Sequence, residues 1–180
     1  MLKILLVCHI GPQIGIGHLS RLLALASTLK KNNYIIPEFL IFGDILKKKE
    51  LDNFTVYNFT LNDNFTDIIE DIAEKKNYSA CVFDLYPSYC SSNLYEMFSR
   101  LKQHNIRLVT IDSLIEYEDI LDLIWIPSFY FDAKQHRTSS NKFQFGWNNY
   151  LIQKRCRTGG WQPGSKILIL TGGSDISELG

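Results

Sequence analysis

An α/β domain built on a parallel sheet is the fold this sequence predicts. Short, continuously apolar runs end in glycine, proline or aspartate, and amphipathic helical stretches separate them. The first run passes through a glycine turn directly into a helix. Strands buried on both faces lose the inside–outside alternation of a half-exposed sheet, and helices between them supply the crossovers that parallel pairing needs. The expected architecture is a Rossmann-like sandwich of three layers, with helices on both sides of the sheet.

The elements follow in order. A first strand is expected at 3–9, with Ile4 to Cys8 apolar, before Gly11-Pro12. A helix at 19–31 places Leu19, Leu22, Leu23 and Ala26 on one face, at the i, i+3, i+4, i+7 spacing. A second strand spans 37–42 and stops at Gly43-Asp44; a weaker third spans 54–59. The helix at 67–76 has an apolar stripe of Ile68, Ile69 and Ile72. A short buried strand at 80–84 precedes a helix at 91–104, whose Leu94, Met97, Phe98 and Leu101 face inward. Two more strands span 107–112 and 121–126, the last closed by Pro127.

After Pro127 the pattern changes. Residues 128–149 are aromatic and polar with no clean period, and Phe129-Tyr130-Phe131, Phe143, Phe145 and Trp147 are expected to serve core or interdomain packing. Residues 1–150 thus form one domain, 151–165 a linker, and 166–180 the opening of a second, truncated domain: a fresh apolar strand followed by Thr171-Gly172-Gly173-Ser174-Asp175. A complete βα crossover takes about 30 residues, more than the chain has left. The face that a missing half leaves open can promote self-association.

The totals exclude several classes. Among 180 residues, 19 basic and 19 acidic side chains cancel, so no positive excess marks a nucleic-acid or anionic-membrane surface. Lys47-Lys48-Lys49 reads as a solvated turn or helix end. No run reaches the ~20 apolar residues of a membrane helix. The apolar start is too short for a signal peptide and lacks its small-residue cleavage site, which points to the cytoplasm. Cys8, Cys81, Cys90 and Cys156 show no C-x-x-C spacing and read as reduced, small apolar residues, with no metal site implied. Without a secretory signal, the Asn-Phe-Thr triplets at Asn53, Asn58 and Asn64 and the Asn77-Tyr78-Ser79 triplet carry no weight as glycosylation sites.

The chemistry concentrates in Gly15-Ile16-Gly17-His18-Leu19-Ser20-Arg21. A histidine here can simply cap the helix or bond the loop. Three features favour a functional one. Gly15 and Gly17 let a ligand approach the backbone, Arg21 shares the helical face of His18, and the turn lies at the carboxyl end of a strand, where open α/β sheets bind ligands. The positive end of the helix dipole disfavours the imidazolium, leaving a ring suited to general-base work. The dinucleotide fingerprint is absent, because Ser20 stands where its third glycine belongs. Asp84 and Asp112 end two other strands and are expected in the same crevice, orienting the imidazole or binding a sugar hydroxyl; loop capping is their plainer role. Tyr86 is placed to stack on a sugar or base, or to pack under the Pro87 turn. Gly172-Gly173-Ser174 follows a strand and can cradle phosphate on backbone N–H groups, without the lysine of a P-loop.

In these residues the chain resembles the glycosyltransferase-B-fold nucleotide-sugar enzymes. The nearest resemblance is to the UDP-sugar hydrolases of the pseudaminic acid pathway and their spore-coat polysaccharide relatives. It rests on Gln13-Ile14-Gly15 before the Gly-His, Leu25-Ala26 after it, Asp84-Leu85-Tyr86, Ile111-Asp112, the stretch from Gly146 to Tyr150, and Gly172 to Asp175. The chain departs at Val7 and His9, where those hydrolases carry Arg and Asp, and at Ser113 in place of a second Asp. The resemblance implies a two-domain enzyme without a cofactor. Its N-terminal domain carries the catalytic histidine, His18, and sugar contacts from Gly15, Ile16, Gly17, Arg21, Asp84, Tyr86 and Asp112. Its C-terminal domain binds UDP through Gly172, Gly173, Ser174 and Asp175. It implies hydrolysis of a UDP-deoxyamino-sugar for surface polysaccharide or nonulosonic acid synthesis. A glycosyltransferase of the same fold and a non-catalytic binding module are the alternatives, and the 180 residues alone are expected to bind UDP weakly or not at all.

Overall fold

The computed structural model describes residues 1–44, 48–90, 93–128 and 141–151. In chain order the elements are β1 (Leu2–Ile10), α1 (Gly17–Leu29), β2 (Ile35–Gly43), β3 (Thr55–Phe59), α2 (Phe65–Lys76), β4 (Ala80–Asp84), α3 (Leu94–Gln103), β5 (Arg107–Ile111), β6 (Leu123–Ile126) and β7 (Phe143–Phe145). The seven described strands make one sheet in the order β3-β2-β1-β4-β5-β6-β7, with every pairing parallel. The expected Rossmann-like α/β fold is therefore the observed one.

The sequence explains the layering. Along β1, Leu5 and Val7 face one side and Leu6, Cys8 and Ile10 the other, and all five are fully buried. The second set packs under α1 through Leu19, Leu22, Leu23 and Ala26. The first packs against Ile69 and Ala73 of α2 and Met97, Phe98 and Leu101 of α3. Burying a leucine side chain stabilises a fold by roughly 2 kcal/mol, so each layer is held by several such contributions. Pro37 of β2 pairs with Ile4 of β1 before the β3 ladder starts at Glu38, so its missing N–H removes no bond to β3.

The start of α1 and one added strand are among the differences from expectation. Helix α1 starts at Gly17 rather than 19, because the Ser20 N–H already bonds the Ile16 carbonyl at 3.0 Å. His18 thus lies inside the first turn. Strand β7 falls within the stretch expected to be irregular; its three residues are too few to show a period, and pairing with Ile124, Trp125 and Ile126 of β6 makes it a strand. The linker expected at 151–165 apart from Leu151, the expected start of a second domain with Gly172, Gly173, Ser174 and Asp175, and the aromatic run at 129–131 lie outside the described residues. Among the described residues no helix is long and apolar enough to cross a membrane. Cys8 and Cys81 are buried, as apolar cysteines are expected to be, and burial pushes both thiols above their usual range.

Among the described residues one buried side-chain polar atom lacks a partner, the hydroxyl of Thr110 in β5. A buried unsatisfied hydroxyl costs stability, and valine has nearly the same shape without it. Thr110→Val is expected to stabilise the protein by about 1 kcal/mol. Urea unfolding should show a higher midpoint at an unchanged slope.

Candidate functional site

The strand order reverses beside β1: β2 lies on one flank and β4 on the other. Outside the carboxyl ends of such a strand pair, the two flanking crossovers part and leave a crevice. Residues 11–15 cross the top of β1 in a tight turn, with the Ile14 and Gly15 N–H groups both donating to the Gly11 carbonyl, at 3.1 and 2.7 Å. Gly15 takes φ +78° there, a left-handed conformation that an L side chain rarely adopts. The turn delivers the chain into α1, whose first turn carries His18 and, one turn on, Arg21 on the same face.

Asp84 is the last residue of β4 and pairs in register with Cys8 of β1. Val82 and Asp84 face the α1 side while Cys81 and Phe83 face the other, so the carboxylate comes up beneath His18 and Arg21. The side chain of Asp84 has no exposed surface. Its Oδ1 lies 2.5 Å from His18 Nδ1 and accepts from Arg21 Nη2 at 2.7 Å; its Oδ2 accepts from Arg21 Nε at 2.8 Å. Such a two-pronged guanidinium–carboxylate pair fixes both partners in orientation. The third arm of Arg21, Nη1, donates to Asp112 Oδ2 at 2.7 Å. Arg21 is thus clamped between two carboxylates. Although burial opposes the charge, the bonds to Asp84 and Asp112 prevail and keep the guanidinium firmly protonated.

The position of one proton follows from these distances. Were Nδ1 of His18 unprotonated, its lone pair would face a carboxylate oxygen at 2.5 Å, which is untenable. Nδ1 therefore carries the hydrogen and donates it to Asp84, while Arg21 Nη2 stands off at 3.3 Å. The partner of one ring nitrogen decides the role of the other. Nε2 becomes the nitrogen that can take a proton, and among the described residues no hydrogen bond engages it. The ring is 16% exposed, enough to meet a ligand from the crevice.

Of the residues read from the sequence, His18, Arg21, Asp84 and Asp112 are joined directly, and Tyr86 meets the His18 ring edge-on with centroids 6.4 Å apart. Asp84 stands behind the imidazole with no exposed side-chain surface. Asp112 and Tyr86 remain exposed at the rim. Gly15 shapes the turn, half-buried Ile16 caps the helix without a side-chain bond, and Gly17 is exposed with open space where a Cβ would stand. A cleft of about 1040 Å³ opens beside Asp112, with Pro87, Ser113, Leu114 and Ile115 among its walls. Among the described residues no cluster of three or more His, Cys, Asp or Glu side chains is arranged to hold a metal ion.

One nearby group was missed in the sequence as a site residue. His9, in β1, is 1% exposed, and its Nδ1 accepts the backbone N–H of Tyr86 at 3.2 Å. Burial, reinforced by the neighbouring His18, pushes its pKa down to about 4. The available signal was a lone polar residue inside an otherwise apolar strand, and that alone does not tell a site residue from a satisfied core histidine.

No protein-family model matches the chain, and no curated protein sequence does. Solved structures do. The UDP-GlcNAc 2-epimerase from Methanocaldococcus jannaschii superimposes with a TM-score of 0.55 at 12% identity, covering 80% of this chain and 45% of that one. UGT2 from Phytolacca americana, solved with UDP-2fluoro-glucose and pterostilbene, matches with a TM-score of 0.40 at 14% identity, covering 62% of this chain and 30% of that one. The chain spans less than half the length of either protein. The likeness to the epimerase is one of fold: the sheet and its crossovers are those of a Rossmann-like domain of glycosyltransferase-B type.

Proposed function

We propose that this chain is the histidine-bearing part of a nucleotide-sugar hydrolase, which releases UDP from a UDP-deoxyamino-sugar. The observation that carries the reading is the single arrangement Asp84–His18, with Arg21 locking the carboxylate and the imidazole 16% exposed at the carboxyl edge of the sheet. In the proposed step Nε2 takes a proton from water as the water oxygen bonds to the anomeric carbon. The bond from that carbon to the diphosphate oxygen breaks, and UDP leaves with the electron pair. A positioned base of this kind contributes about 10²–10⁴-fold to rate.

Charge orients the substrate. The cleft beside Asp112 also carries Glu116, Glu118 and Asp119, while the Nζ of its Lys142 is engaged by the carbonyls of Glu118 and Asp119. Carboxylates there repel a diphosphate and suit hydroxyl or amino substituents, so the sugar lies toward Asp112 and the UDP points away. We assign the UDP to a second domain beginning at 166–180, with the backbone of Gly172, Gly173, Ser174 and Asp175 against its phosphates. The same cleft has room for a second sugar, which favours a transferase as the alternative reading: His18 would then deprotonate an acceptor hydroxyl.

Offering UDP-sugars to the intact protein separates the two. UDP released into water without an acceptor supports hydrolysis, strict acceptor dependence supports transfer, and no turnover of any UDP-sugar overturns both. Gly17→Ala adds a direct test of where the substrate sits. Apart from its chain neighbours and the backbone of its own helix, the added methyl meets no protein atom within 4 Å, and alanine is the better helix former by up to about 1 kcal/mol. Thermal unfolding should therefore be unchanged or later. UDP-sugar affinity should nevertheless fall about tenfold, a loss of roughly 1.4 kcal/mol, where the methyl intrudes on the ligand.

A further inference from the structure

We infer that His9 is a positioning residue for the wall of the site opposite His18: its Nδ1 holds the Tyr86 amide and thereby sets the Tyr86 ring against the His18 imidazole. The hydrogen bond joins the end of β1 to the first residues after β4, across the switch point where the crevice opens. Three aromatic rings surround that of His9: Phe65 at 5.2 Å, and Phe42 and Tyr89 each at 6.1 Å between centroids. Tyr89 closes a short 3-10 turn, Pro87–Tyr89, and its ring lies 5.9 Å from that of Tyr86. His9 therefore touches both ends of this turn, one through a hydrogen bond and the other through ring contact. An acceptor nitrogen must stay unprotonated to do this. Burial beside His18 ensures that across the neutral range. An aspartate would bring a negative charge into the same apolar box.

Three measurements test the inference. In the unaltered protein, ¹⁵N NMR should find His9 protonated at Nε2 only, with Nδ1 an acceptor; a proton on Nδ1 would overturn it. His9→Leu keeps the apolar box and removes the acceptor, whereas His9→Asn restores an acceptor near the place of Nδ1. Hydrogen exchange at the Tyr86 amide should quicken about tenfold in His9→Leu, the scale of one lost backbone hydrogen bond. It should return to within about threefold in His9→Asn. Equal exchange in His9→Leu and the unaltered protein would overturn the inference. If His9→Leu does not fold, His9→Asn decides: retained Tyr86 protection supports it and lost protection overturns it.

The kinetic arm rests on the hydrolase reading. KM for the UDP-sugar should rise in His9→Leu more than kcat falls, and His9→Asn should restore it. An unchanged KM beside altered exchange would show that the turn is held but lines no substrate. No turnover by the unaltered protein, with the exchange pattern as expected, would refute the hydrolase and leave His9 positioning the turn.

Discussion

Replacing His18 with alanine is expected to lower UDP-sugar turnover by about 10²–10⁴-fold, the range that removal of a positioned base covers. The fold should survive. The ring lies in the first turn of α1, partly exposed, and Asp84 keeps both bonds from Arg21 when the imidazole is gone. The stability loss should be about 1 kcal/mol, that of one hydrogen bond. Steady-state rates with and without acceptor, set beside a urea titration of the same preparation, check both halves. A variant that binds UDP-sugar and turns it over at the original rate would remove His18 from the chemistry.

Asp84→Asn should damage the protein in two separable ways. The carboxylate is fully buried and answers the charge of Arg21, so neutralising it leaves a partly buried guanidinium with Asp112 as its remaining anion. Breaking buried pairs costs 3–5 kcal/mol; the exposure of Arg21 and its bond to Asp112 place this case at about 3 kcal/mol. The second effect concerns the proton. An amide N–H directed at Nδ1 would donate to it, moving the ring hydrogen to Nε2 and abolishing the base. Where a buried carboxylate orients a catalytic histidine, this change of tautomer lowers kcat by about 10⁴-fold. The expected result is a drop of at least about 10³-fold in kcat with KM little altered. Imidazole ¹⁵N shifts should report the new tautomer directly. Lost stability with Nδ1 still protonated and kcat intact would show Asp84 to be an anchor for Arg21 alone.

The two aspartates show what could be read in advance and what could not. Both stand where an apolar run stops, and that pattern is enough to place them at the carboxyl edge of the sheet. They looked equivalent. In the fold they differ: Asp84 ends the strand beside β1 and is sealed under α1, whereas Asp112 lies one strand further out and stays exposed at the rim. Strand order made that difference, and nothing within either segment encodes it. His9 is the converse case. Nothing near it in sequence explains a polar group within a buried strand; its partner is the Tyr86 amide, 77 residues along the chain. The short β7 is a strand by virtue of β6, and its own three residues carry too little period to announce it.

Local chemistry was enough to specify the alternation of strands and helices, the helical faces that cover the sheet, and the glycine turn that puts a histidine at its edge. These depend on contacts within a few residues, where periodicity and turn propensity act. Which carboxylate meets the imidazole, which nitrogen keeps the proton and which histidine is shut away came from the assembled sheet alone. Those outcomes turn on hydrogen bonds of about 3 Å or less between groups as far apart in sequence as His18 and Asp84, 66 residues, and only the packing of α1 over β1 and β4 brings such groups together.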